Sequence, residues 1–505
     1  MTKAPANELI IEGWQAGISA SPEVGFGLMA NTDIYSYPGV VRQNYTPTKQ
    51  NDVTINDLVI GMRINPLSPT NIFALDKKNN IYQYTSSWAS LAGNSDAGTG
   101  TGTGIAIWKD YLFVCGLTKL DVYGPLSSSP AWSGGGSKGV LNWQTLSSYT
   151  WHTMLESVDD RLYICNGKNV ALLYENPLTT FNPNDSSTYT FSATTIALPA
   201  YEVSKCLADL GSQMVVGTYS GTDVTSALTA TTIVQSAKVA NLYPFQRGDL
   251  SQGVVLKLNK NGVHAMLSVN NRLYIQAGIA GEIFATDSVT FSTIVDRVPN
   301  YVANLDSGKF MYSMPGAIMW HQNRLWFGLS STLSIGNMGV YSVNPTMKGA
   351  PLVVENYIAS GATGNTSTLE IGALLSLGWD RYILSEHDNS TYGIEKIDDS
   401  SRRSSTNIET PLYHIGEALG NKTVSQIEVY FQRPLASGDG LTISYRKDLT
   451  SSFTALPAID YTTYNGSANL QAINVSGAQI SNAVFLQLRL ALSGNAELKR
   501  VTLKF

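Results

Sequence analysis

The sequence predicts an all-β protein, a seven-bladed β-propeller followed by a C-terminal antiparallel β-sandwich of jelly-roll-like type. Three observations predict it. An apolar two-strand unit recurs seven times, apolar residues within the units alternate at period two, and the chain draws its polarity from Ser, Thr, Asn and Gly more than from charge.

The first 56 residues precede the repeat and predict an extended segment that closes or docks on the propeller. They hold LIIEGW and then GFGLMANTDIYSYPGVVRQNYTP, where Pro38-Gly39 marks a turn between two extended stretches. A ring of blades is commonly closed by an N-terminal strand that removes an exposed edge, a task that suits Leu9 to Ile11 or the segment around Val40.

Residues 57–404 predict the propeller. The units are 71–84, 106–124, 155–175, a weaker one at 206–219, then 266–287, 318–343 and 374–397, with central residues Ile72, Leu112, Leu162, Met214, Leu273, Leu325 and Tyr382. Their spacing of about 40 to 60 residues is that of blades with several strands each. Blades pack face to face, so the strands between them read as apolar runs such as LYIC and LWFG, and these are assigned as inner strands. The polar pairs before them (KKNN, VDD, VNN, HQN) suit tight turns. Trp88 to Leu91, Trp143 to Leu146 and Phe291 to Ile294 echo between units as outer strands. Arg161, Arg272, Arg324 and Arg381 recur at the entry to the inner strand. The favoured reading is a structural ion pair or a stem packed on the neighbouring blade, against a ring of positive charge at one mouth of the channel.

Near residue 400 the texture changes. DDSSRRSSTN (398–407) has no apolar anchor and reads as a linker or exposed loop. Residues 405–505 then alternate cleanly: Ile427, Val429 and Phe431; Leu441, Ile443 and Tyr445; Leu486, Leu488 and Leu490; Val501, Leu503 and Phe505. One wet and one buried face per strand predicts the sandwich.

Composition narrows the role. Charged residues are 14% of the 505, against roughly 25% in ordinary soluble proteins, a profile that fits surface buried against partners. A net charge of -5 gives no strong nucleic-acid signature, because phosphate binding needs excess Lys and Arg. No stretch is apolar enough for a membrane span, and MTKAPANELIIEGW lacks the apolar run of a signal peptide. Cys115, Cys165 and Cys206 have no CxxC spacing and predict no disulfide framework, which fits assembly in a reducing cytoplasm. Cys115 and Cys165, at matching places in neighbouring units, are read as small apolar core groups.

The search for chemistry assigns no catalytic, cofactor-binding or metal-ligating residue, no cofactor and no enzymatic activity. His152, His264, His321, His387 and His414 are scattered, and the first three are read as turn or packing residues. GTGTGTG (98–104) and SGGGSKG (133–139) match no phosphate-binding pattern and are read as flexible loops. A propeller glycoside hydrolase needs two carboxylates at a set separation. Asp110, Asp159, Asp160, Asp380 and Glu386 are the candidates, each weighed against hairpin capping.

EGWQAGISAS and NTDIYSYPGVVRQNY within residues 12–45, with ETPLYHIGEALGNKTVSQIEVYF and GDGLTISYRKD near the end, resemble structural proteins of tailed-bacteriophage virions. The resemblance implies a tail or neck component, nozzle-like or of tail-decoration type, present in multiple copies as a homo-oligomer. Its partners would be other virion structural proteins, and its localisation the virion, assembled in the host cytoplasm. A tail protein binding a host-surface receptor or glycan is the alternative, and the hydrolase a second one.

Overall fold

A computed structural model of the chain describes residues 8–17, 26, 28–37, 39–50, 52–91, 101–128, 139–220, 240–287, 290–296, 311–330, 338–347, 351–358, 370–378, 380–388, 391–404, 406–416, 422–464, 470–474 and 480–505. Among the described residues helix is confined to single turns, and nearly every other element is a strand. The chain divides into two compact units. One comprises Thr48–Gly339 and Ile358–Lys396; the other comprises Met1–Pro47, Val340–Tyr357 and Ile397–Phe505.

The larger unit is a β-propeller. Consecutive four-stranded antiparallel meanders are built from Val59–Asn65 to Trp88–Leu91, from Gly104–Trp108 to Gly139–Thr145, from Met154–Glu156 to Tyr189–Ala197, from Glu202–Leu210 to Leu256–Lys257, and from Val263–Val269 to Phe291–Val295. A hairpin of Ile318–His321 with Arg324–Leu329 follows, then Ile371–Leu377 with Asp380–Asp388. The first strands of successive sheets touch in turn, and Ile371–Leu377 returns to pack on Val59–Asn65, so the ring closes on itself.

Hydrophobic burial between neighbouring sheets holds the ring together. Phe113, Cys115 and Val122 of the second sheet meet Leu162, Ile164 and Leu173 of the third. Ile72, Ala74 and Tyr82 of the first meet Ala373 and Ile394 at the closure. Complete burial of such a side chain contributes about 1.5–3 kcal/mol, and each interface contains several. Cys115 and Cys165 are fully buried among these residues, as the matching positions predict.

The polar turns form as the sequence predicts. Asn270 and Asn271 have φ of 50° and 59°, and Gln322 and Asn323 have 49° and 59°. Positive φ at both positions is the two-residue hairpin geometry that matches strand twist. Val269 therefore pairs with Arg272, and His321 with Arg324. The weak unit at 206–219 is a full hairpin turning at Gly211. Trp88–Leu91, Gly139–Thr145 and Phe291–Val295 are the fourth strands of their sheets, as their echo predicts.

Several expectations need correction. The runs LYIC and LWFG are second strands; the innermost strand of each sheet is the one before. The glycines at the end of GTGTGTG are packed: a Cβ on Gly102 would sit 2.2 Å from the Asp76 carbonyl oxygen, and one on Gly104, which opens a strand, 2.0 Å from that of His152. Residues 98–100, and 133–138 of SGGGSKG, lie outside the described residues; Gly139 begins a strand.

The N-terminal segment does not close the ring with Leu9 to Ile11 or Val40. Glu8–Ile11 pairs antiparallel with Leu498–Lys504, and Val41 exchanges two backbone hydrogen bonds of 2.9 Å with Leu498. The chain that lies along the last propeller strand comes later, where the Gln50 amide donates to the Ile394 carbonyl at 2.9 Å.

The smaller unit is thus built from both ends of the chain. One sheet runs Glu8–Ile11, Leu498–Lys504, Gln426–Phe431, Leu470–Asn474. Another takes Leu28–Ala30, Asn407–Glu409, Phe485–Ser493 and Gly440–Arg446 in order. Ile427, Val429, Phe431, Leu441, Ile443, Leu486, Leu488, Leu490, Val501 and Leu503 are all buried, the alternation the sequence predicts. Trp14 is fully buried, stacks on Phe26 and donates from Nε1 to the Lys499 carbonyl at 2.8 Å. The supposed linker at 398–407 is strand as far as Arg402. Arg402 donates to the Gln43 carbonyl and lies over the Tyr45 ring, and the Arg403 amide donates to Asn44 O at 2.9 Å. Its partners lie more than 300 residues away in sequence, so local composition carries no sign of them.

Candidate functional site in the central cavity

Three of the carboxylates weighed for glycoside hydrolysis, Asp110, Asp159 and Asp160, are engaged by protein partners. Asp110 Oδ1 accepts the Ser127 amide at 2.9 Å and Oδ2 accepts the Ser127 hydroxyl. Asp159 accepts the Tyr163 hydroxyl at 3.2 Å and lies 3.5 Å from Arg161 Nε. Asp160, in a left-handed turn with φ 64°, pairs with Lys109. Asp380 and Glu386 lie on one strand, with Asp380 opposite Leu377 at its hairpin end. The first three sit at turns, and Asp160 joins neighbouring sheets through Lys109.

The recurrent arginines are packed against aromatic rings, in line with the structural reading. Arg161 lies 5.8 Å from the Tyr174 ring and donates to the Arg247 carbonyl at 2.9 Å. Arg272 lies 5.8 Å from Tyr274 and donates to the Ser292 hydroxyl at 2.8 Å. Arg324 and Arg381, both buried, sit 5.1 and 5.2 Å from the Trp326 ring. Burial and these two guanidiniums push the neighbouring His321 imidazole down to about 4. Its Nδ1 lies 2.7 Å from the Ser376 hydroxyl. His152 is fully buried between the Cys165 and Leu117 carbonyls at 2.7 and 3.1 Å, and burial lowers its pKa. Both histidines act as packing groups that join strands.

A constellation absent from the sequence reading is a tyrosine hydroxyl set on a carboxylate, repeated in the first four sheets. Tyr82 donates to Asp76 at 2.9 Å, Tyr123 to Asp121 at 3.5 Å, Tyr163 to Asp159, and Tyr243 to Glu202 at 2.7 Å. Burial is the main cause that raises all four phenols, Tyr163 to about 12. Glu202 is fully buried and also accepts from Thr218 at 2.6 Å and Asn241 at 2.7 Å. The spacing of acid and tyrosine varies from sheet to sheet, so no motif announces the pairs.

What the first strands jointly enclose is a cavity of about 520 Å³ on the ring axis. Its lining includes Met62, Met154, Met266, Met319, Trp151 and Trp320 beside Arg63, Thr103, Thr153, Ser268 and Ser376, and is of mixed polarity. Arg63 is the arginine on that wall; the recurrent four are not part of it. Arg63 is half-buried and donates to the Met62 carbonyl at 2.8 Å. Burial lowers its pKa while the charge of Glu156, on the first strand of the third sheet, opposes that shift. The sequence signal for it is slight: one cation inside the apolar run VIGMRIN. Among the described residues no His, Cys, Asp or Glu cluster has metal-binding geometry, and no helix is long and apolar enough to cross a membrane.

No protein-family model matches the chain, and no curated protein does. Solved structures similar to it include the β-propeller domain of Cps50 (Swd1) from Myceliophteria thermophila, at 9% identity and TM-score 0.43, covering 68% of this chain and 98% of that one. YCF48 bound to D1 peptide is similar at 8% identity and TM-score 0.43, covering 73% and 98%. The Dos1 propeller is similar at 9% identity and TM-score 0.41, covering 70% and 95%. The assignment as a propeller rests on the sheets and the closed ring described above.

Proposed function

We propose that this chain is a structural subunit of a tailed-bacteriophage virion, in the tail or neck, present in multiple copies. We further propose that its propeller has seven blades and that the other unit is a C-terminal β-sandwich completed by the N-terminal segment. Counting the hairpin at 318–329 and the strands from Ile371 as blades beside the five full meanders gives seven, the number of repeats in the sequence.

One observation carries the reading. The N-terminal region 12–45, which resembles tail proteins, is joined strand to strand with the C-terminal region of the sequence, Leu28–Ala30 with Asn407–Glu409 and Val41 with Leu498. A β-body assembled from segments far apart in the sequence suits an architectural part. Mass-spectrometric inventory of purified virions tests the assignment. The chain is expected there in several copies per particle, and sedimentation of the isolated protein is expected to show an oligomer. Absence from intact particles overturns the proposal.

A further inference from the structure

Each meander reverses at every turn, so the turns of the propeller fall at two ends. Those joining first to second and third to fourth strands share one end. Those joining second to third strands, with the passages to the next sheet, share the other. Neighbouring sheets keep the same orientation. The Gly102 amide, at the entry to the second sheet, donates to the Lys77 carbonyl in the second-to-third turn of the first at 2.9 Å, and the Ser204 amide meets the Gly167 carbonyl likewise at 2.8 Å. At the opposite end the Trp108 indole donates to the Asp160 carbonyl at 3.2 Å, turn beside turn.

Exposed charge is divided between these ends. Among the described residues of the propeller, the exposed charged side chains on or flanking the turns of the first end are Glu156, Asp160, Asp185, Asp249 and Asp287. At the second end they are Lys49, Lys78, Lys168 and Lys257, with Asp296. Two half-buried cations of the first end are matched there, Lys109 with Glu175 and Arg247 with Asp209, both at 2.9 Å. The first end also bears apolar tips. Val158, Leu178 and Val254 are largely exposed, as are Leu67 and Phe291 in part. Leu178 holds φ 66°, seldom adopted by leucine, in a loop that Thr179 pins by donating to the Asn176 and Thr188 carbonyls at 2.7 and 3.0 Å.

We propose that the propeller associates head to tail with a second copy of this chain, the acidic end of one copy receiving the lysine end of the next. Both halves of the contact stand on one chain, so copies attract in this orientation, whereas pairing of like ends sets acid against acid or lysine against lysine. The contact is therefore heterologous and repeats from copy to copy. The apolar tips add the buried surface that exposed ion pairs by themselves do not provide. Such a stack presupposes the several copies proposed above.

Sedimentation velocity of the full chain at about 50 mM and about 500 mM sodium chloride tests the proposal. Self-association is expected at the lower salt and is expected to weaken at least about tenfold at the higher, because exposed charges are then screened. Two variants each disable one end: Val158→Lys with Leu178→Lys and Val254→Lys at the first, Lys168→Glu with Lys257→Glu at the second. Each alone is expected to sediment as a monomer. Their equimolar mixture is expected to form a dimer and nothing larger, since one intact end of each remains. A monomeric unmodified chain, association indifferent to salt, either variant associating as the unmodified chain does, or a mixture that stays monomeric while near-ultraviolet circular dichroism shows both variants folded overturns the proposal. The salt response of the unmodified chain decides the matter if a variant unfolds. A chain present in virions whose association ignores these changes overturns the stack alone.

Discussion

Glu202 shows how a buried charge is kept in this fold: three donors, from Thr218, Asn241 and Tyr243, surround a carboxylate with no exposure. Removing the acid strands all three, so Glu202→Ala is expected to cost about 3 kcal/mol or more in urea unfolding, whereas Tyr243→Phe, which removes one donor, costs about 1–2 kcal/mol. His321 argues the pH dependence. Its folded pKa of about 4 lies below the roughly 6.5 of an unfolded histidine, so the unfolded chain takes up a proton first as pH falls. The stability its neutral form carries is complete above about pH 6.5 and lost on acidification towards pH 4, on the order of 3 kcal/mol. His152, shifted the same way, adds to the slope. Unfolding followed at pH 7.5 and 5 is expected to show the loss, and His321→Gln to shrink it. An unchanged slope in that variant counts against burial of the imidazole as its cause.

Among elements, the hub strands depend on glycine where backbones nearly touch. A Cβ at Gly104, Gly316 or Gly372 would lie 2.0, 2.4 and 2.0 Å from the carbonyl oxygens of His152, Ile60 and Val59. These carbonyls belong to the backbone and cannot rotate aside. Gly104→Ala is therefore expected to destabilise the propeller by more than about 2 kcal/mol, and thermal melting checks it; Gly248→Ala, with open space around it, is expected to be near neutral. Register irregularities recur in the first strands, between Val59 and Gly61, Ser204 and Cys206, Val263 and Ala265, and Ile371 and Ala373. Such bulges re-aim side chains. In two of them the bulged residues are Lys205 and His264, whose side-chain nitrogens lie 3.4 Å apart across neighbouring sheets. Period-two reading passes over a bulge because one extra residue breaks the alternation that it counts.

For the molecule as a whole, the strand Glu8–Ile11 covers an edge of the sheet that contains Leu498–Lys504, burying Leu9 and Ile11. Deleting residues 1–12 leaves that edge open and its apolar partners wet. The truncated chain is expected to melt earlier and to scatter light in a concentration-dependent way, because an open edge templates pairing with other chains. Full-length melting and scattering in the truncated chain contradict the role assigned to this strand.

The sequence by itself determined strand content, hairpin turns and the buried alternation of the C-terminal strands, since each depends on residues within a few positions of one another. Asn270-Asn271 and Gln322-Asn323 signal their turns through backbone preference, and Ile427, Val429 and Phe431 signal a buried face through pleat. Tertiary structure alone decided that Glu8–Ile11 joins the C-terminal strands, that 398–402 is strand, that Gly104 is packed, and that the charge of Glu156 acts on Arg63. Those outcomes rest on contacts between residues tens to hundreds of positions apart. Local composition holds no trace of such contacts, because the partner that satisfies a backbone group or faces a charge arrives only when the ring closes.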